Sequence, residues 1–245
     1  MIGRRHLLQA ALALPLLGAK RAPAGVDWNA WFKGWMLRDF GMIDYYADDN
    51  EKLLASKVPV DIVFMGDSIT EGWMDKRRGF FTSSRIDRGI GGQTSSQMVL
   101  RMMSYVVALR PKAVHIMAGT NDIAGNTGPM TPGMTQDNIQ AMVDIAQRHG
   151  IRVLLAPIPP AASFPWREGL ETRKPIAAMN AWLKRFAKES RLTWVDYGPV
   201  LDDGTGAMKP GLASDGVHPT EAGYDAMATV IEPVLRRMFP QERRG

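Results

Sequence analysis

Four short segments of this 245-residue chain carry side chains that could do chemistry together: Gly66-Asp67-Ser68, Gly91-Gly92-Gln93-Thr94, Gly119-Thr120-Asn121-Asp122 and Asp215-Gly216-Val217-His218-Pro219. Ser68 offers a hydroxyl nucleophile, which is weak without an adjacent base. The base candidate is His218. Of the other three histidines, His6 sits in a leader-like start, His115 lies mid-strand between Val114 and Ile116, and His149 ends a helix before Gly150, where a cation suits the helix dipole. Only His218 lies in a loop with a carboxylate three residues earlier. Asp215 could accept from one ring nitrogen and fix the tautomer, so that the other nitrogen takes the Ser68 proton. Taken alone, Ser214-Asp215-Gly216 reads better as a turn. The Ser68 N–H, a glycine N–H of the second segment and the Asn121 amide could hold a developing oxyanion. The same residues also serve ordinary roles: Ser as a helix N-cap, Gly at a positive φ, Asn-Asp in a loop. Asp67 and Asp122 read as supporting or turn residues. No His-x-x-x-His or His-Glu-x-x-His spacing occurs, so no metal and no other cofactor is expected.

The elements that must position these groups alternate. Val60 to Met65 reads as a strand ending at a glycine, Arg85 to Ile90 as a weaker strand, and Ala113 to Met117, Ile151 to Ala156 and Leu192 to Val195 as further strands. Helices are expected over Ser95 to Leu109, with Ser95 as N-cap, and over Thr135 to His149, Lys174 to Ser190 and Glu221 to Phe239. Strand–helix alternation implies a parallel α/β sheet covered on both faces. Ligands of such sheets bind at the carboxyl ends of the strands near the switch point. The first three segments each end a strand, so they can converge. Gly66-x-Ser68-x-Thr70 lacks the second glycine of a nucleophile elbow, which disfavours the α/β-hydrolase arrangement. Trp28, Trp31, Phe32, Trp35, Leu37 and Phe40 recur at near-helical spacing and read as a helix packing onto the domain rather than as an aromatic binding face.

In this order the four segments resemble those of the SGNH hydrolases, the GDSL-type esterase and acylhydrolase superfamily, over roughly residues 58–239. The resemblance implies a three-layer α/β/α sandwich on a five-stranded parallel sheet, flavodoxin-like in order. It selects Asp215 as the partner of His218, and Gly92, which directly precedes Gln93-Thr94-Ser95, as the backbone donor. It also implies an acyl-enzyme on Ser68, with Ser68, Gly92 and Asn121 as the oxyanion hole. Many relatives carry Asp where Gln93 stands, so the supporting hydrogen bonds are expected to differ. Arg88-Gly89-Ile90-Gly91-Gly92, Gly119-Thr120-Asn121 and the final Asp-Gly-Val-His-Pro look most like the branch that includes the platelet-activating-factor acetylhydrolase catalytic subunits and bacterial carbohydrate acetylesterases. The implied substrate is a short, acetyl-type ester of a small molecule or glycan; lysophospholipid, thioester and longer fatty esters are the alternatives, and a non-catalytic glycan-binding module is a third.

A Pro-rich loop from Pro157 to Glu171 leaves the fourth strand on the site's edge. Its Phe164, Trp166 and Arg167, with Trp73 and Phe80 after the nucleophile, could line a substrate groove or be incidental. Residues 1–24 read as an export leader, with Arg4-Arg5, an apolar run from Leu7 to Leu17 and the small-residue site Ala22-Pro23-Ala24. The arginine pair is a partial match to the twin-arginine signal, and the general secretory route stays open. Residues 25–245 then form one domain with a helical extension at about 25–57, exported to the periplasm or beyond. Removing the four leader cations (Arg4, Arg5, Lys20, Arg21) from 30 basic residues leaves 26 against 25 acidic ones, which argues against a nucleic-acid partner. Cysteine is absent, so neither disulfides nor a thiol nucleophile can occur. After the leader, no stretch is apolar enough for stable membrane insertion. Nothing in the sequence sets an oligomeric state.

Overall fold

A computed structural model of the chain describes residues 24–240, so the leader expected over 1–24 lies, all but its last residue, outside the described residues. Five strands, β1 (Ile62–Gly66), β2 (Arg85–Gly89), β3 (Ala113–Met117), β4 (Arg152–Leu155) and β5 (Thr193–Trp194), form one parallel sheet in the order β2-β1-β3-β4-β5. This is the flavodoxin-like order, in which the chain reverses its direction of winding between β1 and β3. Every residue of β1, β2 and β3 is buried, as a parallel sheet covered on both faces requires. The covering helices are α1 (Trp28–Arg38), α2 (Ala47–Ser56), α3 (Ser68–Lys76), α4 (Ser95–Tyr105), α5 (Thr120–Ala124), α6 (Pro132–Arg148), α7 (Arg173–Glu189), α8 (Gly198–Leu201) and α9 (Glu221–Met238).

Strand β2 reads weakly because three of its five residues are charged, yet all five are buried. Buried charges need partners. Arg85 pairs with Glu232 of α9 at 2.6 Å, and both Nε and Nη2 of Arg88 donate to Asn50 Oδ1 of α2. Asp87 accepts from the Gly89 N–H. Gly89 is required by a close approach: an added Cβ would lie 2.1 Å from the Glu71 backbone nitrogen, so α3 crosses the end of β2 in main-chain contact.

Two helix starts differ from the sequence expectation. Thr94, not Ser95, is the N-cap of α4, and its N–H donates to Gln97 Oε1 in a capping box. This leaves the Ser95 N–H and hydroxyl for Asp122. Helix α6 begins at Pro132 rather than Thr135, because proline is well suited to the first helical position and Thr131 caps it.

Helices α1 and α2 form the N-terminal extension. Trp31 and Trp35 pack edge-on against Tyr45, with ring centroids 6.2 and 6.1 Å away. The Tyr46 hydroxyl donates to the Gly89 carbonyl at 2.6 Å, which ties the extension to the end of β2. No helix among the described residues is long and apolar enough to cross a membrane.

Candidate active site

The carboxyl ends of β1 and β3 flank the switch point, and α3 and α5 start directly from them. Ser68 is the first residue of α3. Its cap is Asp67, which accepts from the Ile69 N–H at 2.9 Å. The Ser68 hydroxyl is therefore released from capping and meets His218 Nε2 at 2.9 Å. His218 Nδ1 lies 2.7 Å from Asp215 Oδ2. The other carboxylate oxygen accepts from the Val217 and His218 N–H groups at 3.0 and 2.8 Å, so the Asp-x-x-His turn is closed on its own carboxylate. Partial burial opposes the Asp215 charge, but the His218 N–H, the imidazole and the Val217 N–H outweigh it and hold the carboxyl below its ordinary range. An ionised Asp215 on Nδ1 leaves Nε2 free to accept the serine proton.

Gly92 has φ +78°, and an added Cβ would lie 2.6 Å from Trp28 and 3.0 Å from Phe32. Both the conformation and the space select glycine there. Among the described residues no hydrogen bond engages the N–H of Ser68 or of Gly92. The Asn121 amide donates one N–H to the Gln93 carbonyl at 3.0 Å and accepts from Asn126 Nδ2 at 2.8 Å on its oxygen, which fixes its orientation and leaves one N–H uncommitted. Asn126 Nδ2 also donates to the Gly92 carbonyl at 3.1 Å. Ser68, Gly92 and Asn121 line one cavity of about 680 Å³ together with His218. Three uncommitted donors beside a nucleophile–base pair are the parts needed to hold a tetrahedral oxyanion.

Both acids beside these residues are buried. Burial raises Asp67 to about 6, against the pull of the Ile69 N–H and His218. Burial also raises Asp122, against its bonds from the Ser95 N–H, the Ser95 hydroxyl and Thr135. Asp122 thus ties α5 to α4 and α6 rather than facing the cavity. Gln93 reaches away from the cavity, donating to the Gly41 carbonyl and accepting from Arg101. His115 is fully buried, with Nε2 3.1 Å from the Tyr197 hydroxyl, and burial lowers it to about 3.

The groove residues expected from sequence divide. Trp166 and Arg167 line the cavity, and the Trp166 ring lies 5.8 Å from His218. Phe164 does not line it: only 1% exposed, it stacks under Trp166 at 5.2 Å and supports that ring from behind. Trp73 does not line it either. It is fully buried among Phe64, Phe80 and Tyr224, because the core-facing side of α3 carries Ile69, Thr70 and Trp73. Phe80 belongs to the same core.

Helix α1 corrects a further expectation. It packs onto the domain through Phe32 and Trp35, but Trp28, Phe32, Lys33 and Met36 also form a wall of the cavity. Trp28 and Phe32 stack at 4.8 Å. The spacing showed the helix but not its second, cavity-facing stripe. Glu71 and Asn126 were also missed. Glu71 accepts from the Tyr45 hydroxyl and from the Gly91 N–H at 2.8 Å, bracing the Gly91-Gly92 turn from α3. Its position three residues after Ser68, on the next turn of α3, was the one signal that could have found it.

Residues 64–226 match the model of the GDSL-like lipase/acylhydrolase family. The chain belongs to this family. A GDSL-like lipase from Bacteroides thetaiotaomicron is 39% identical over 81% of this chain and 99% of its own, with a TM-score of 0.76. A candidate acylhydrolase from Bacteroides fragilis is 38% identical over 81% and 98%, with a TM-score of 0.75. An acetyl xylan esterase shares the fold at 21% identity, covering 72% of this chain and all of its own at a TM-score of 0.57. No curated protein matches the chain. As a member of this family the protein is a carboxylic ester hydrolase.

Proposed function

We propose that this GDSL-family protein is an exported serine esterase that removes short acyl groups, acetyl above all, from carbohydrate esters through an acyl-enzyme on Ser68. The observation that carries the reading is the relay Asp215–His218–Ser68, with steps of 2.7 and 2.9 Å at one wall of a cavity. Ser68 Oγ attacks the ester carbonyl while His218 Nε2 takes its proton, and the new O–C bond places negative charge on the carbonyl oxygen. The N–H groups of Ser68 and Gly92 and the Asn121 amide hold that oxygen. As the intermediate collapses, the alcohol leaves with the proton from His218. Water, deprotonated by the same nitrogen, then frees the acid and restores Ser68.

The acetyl preference rests on the sequence resemblance to the acetylhydrolase branch, and is supported by the acetyl xylan esterase that has this fold. Export rests on the basic start, apolar run and small-residue site of residues 1–24. One observation favours a second reading, hydrolysis of longer acyl esters: the apolar side chains of Trp28, Phe32 and Met36 line the cavity beside Gly92.

Hydrolysis of acetyl and octanoyl p-nitrophenyl esters, with Ser68→Ala protein as the blank, tests both. Acetyl turnover should exceed octanoyl turnover and fall to background in Ser68→Ala. Octanoyl preference would support the second reading, and undiminished turnover in Ser68→Ala would refute the acyl-enzyme.

A further inference from the structure

Building on the serine-esterase reading, we infer that the natural substrate carries an anionic group, a carboxylate or a phosphate, on its alcohol half, held chiefly by Arg167 with Lys33 of α1 as the second cation. The cavity's charges are unbalanced. Arg167, on the loop after β4, and Lys33, on α1, both line it and are exposed, and neither side chain makes an ion pair or hydrogen bond among the described residues. The cavity's other titratable groups are already engaged. Glu71 is held by the Tyr45 hydroxyl and the Gly91 N–H, and His218 is paired with Asp215. Two uncompensated cations at the mouth therefore meet any ligand that enters, and low-dielectric walls focus their field.

The site's geometry decides which half of the ester they meet. His218 Nε2 must protonate the leaving oxygen, so the alcohol departs on the His218 side. There the Trp166 ring is 5.8 Å from the imidazole and Arg167 is its neighbour in sequence. Against Gly92 the cavity is closed by the Trp28–Phe32 stack, where the added Cβ of Gly92 would collide. The acyl group is then placed against Trp28 and Phe32, and the alcohol beside Trp166 and Arg167, with Lys33 of α1 lining the same cavity. Trp166 is fixed for a flat ligand face, since its indole N–H donates to Asn126 Oδ1 at 3.2 Å and Phe164 stacks beneath it.

The test compares three acetyl esters that share the acyl group and the aryl ring: 3-acetoxybenzoate, its neutral methyl ester, and 3-acetoxyphenyl phosphate. Each is assayed by product release with wild type, Arg167→Gln, Lys33→Gln, the double variant and Ser68→Ala. Wild-type kcat/KM for at least one anionic ester, relative to the methyl ester, should exceed the same ratio in the double variant by about tenfold at low salt. Arg167→Gln alone should remove most of that advantage, and added salt should erode it. Which anionic ester gains more separates a carboxylate from a phosphate ligand. Equal ratios in wild type and the double variant, with turnover that still vanishes in Ser68→Ala, would overturn the anion inference and leave the esterase standing. Wild-type turnover of all three esters no greater than that of Ser68→Ala would overturn the serine-esterase reading and this inference with it.

Discussion

Arg101 offers the most demanding test of how the fold holds the site. It lies on α4 with no exposed surface, behind the switch point. Its Nε donates to Gln93 Oε1 at 2.6 Å, one Nη to the Arg88 carbonyl at 2.5 Å, and the other to the Gly66 carbonyl at 2.8 Å. One guanidinium thus clamps the ends of β1 and β2 and the turn that carries Gly92. Burial lowers it to about 10, so it stays charged at neutral pH. Arg101→Met removes three hydrogen bonds from a charged donor, each worth roughly 1.5–3 kcal/mol. Part of that loss is offset because a buried cation no longer has to be kept from water. Gly66 O also keeps a bond from the Ile90 N–H. We expect a net destabilisation of about 3 kcal/mol, which in a domain of this size lowers Tm by roughly 6–12 °C. Arg101→Lys should be at least as damaging, because a lysine retains the buried charge but cannot reach three divergent acceptors. Urea unfolding gives the free energies, and kcat measured well below Tm should fall in both variants as the Gly92 turn loosens. A loss under about 1 kcal/mol for Arg101→Met, or a lysine variant as stable as wild type, would refute the clamp.

Two further outcomes follow from the polar groups around the site. Asp67 titrates near 6 in the fold because burial opposes its charge, so ionising it costs the native state stability as pH rises from about 4 to about 6. Asp67→Asn keeps the oxygen that caps Ile69; its stability relative to wild type should therefore improve by about 2 kcal/mol between pH 4.5 and 7.5 in paired urea melts, and a pH-independent difference would count against this. Asn126→Ala should lower kcat about tenfold, less than outright loss of an oxyanion donor, because it frees the Asn121 amide without removing it. A rise in KM with kcat unchanged would instead confine Asn126 to supporting Trp166.

The chemistry-bearing segments were legible in the sequence because each is local. A glycine at a strand end, a serine directly after it and a carboxylate three residues before a histidine are fixed by a few neighbouring backbone torsions. Strand–helix alternation then sufficed to place the first three at one sheet edge. Strand β2 was faint because its stability comes from partners far along the chain, Asn50 and Glu232, which no window around residues 85–89 contains.

The walls of the cavity were another matter. Trp73 and Trp28 are both tryptophans on helices near the site, yet one is sealed in the core and the other faces the cavity. Periodicity shows that a helix has an apolar face but not what that face meets. Helix α1 carries two adjacent stripes, Trp31 and Trp35 against Tyr45, and Trp28, Phe32, Lys33 and Met36 toward Ser68. Asn126 likewise acquires meaning only when Gly92 and Trp166, distant in sequence, join the nearby Asn121 around its one amide. Residue types, their spacing and strand order were enough for the nucleophile, the base and the sheet that gathers the segments, while Gly92 and Asp215 were picked out by the family resemblance of those segments. Which side chains wall the cavity emerges from the fold alone, because it depends on the phase and docking angle of whole helices, which long-range packing sets.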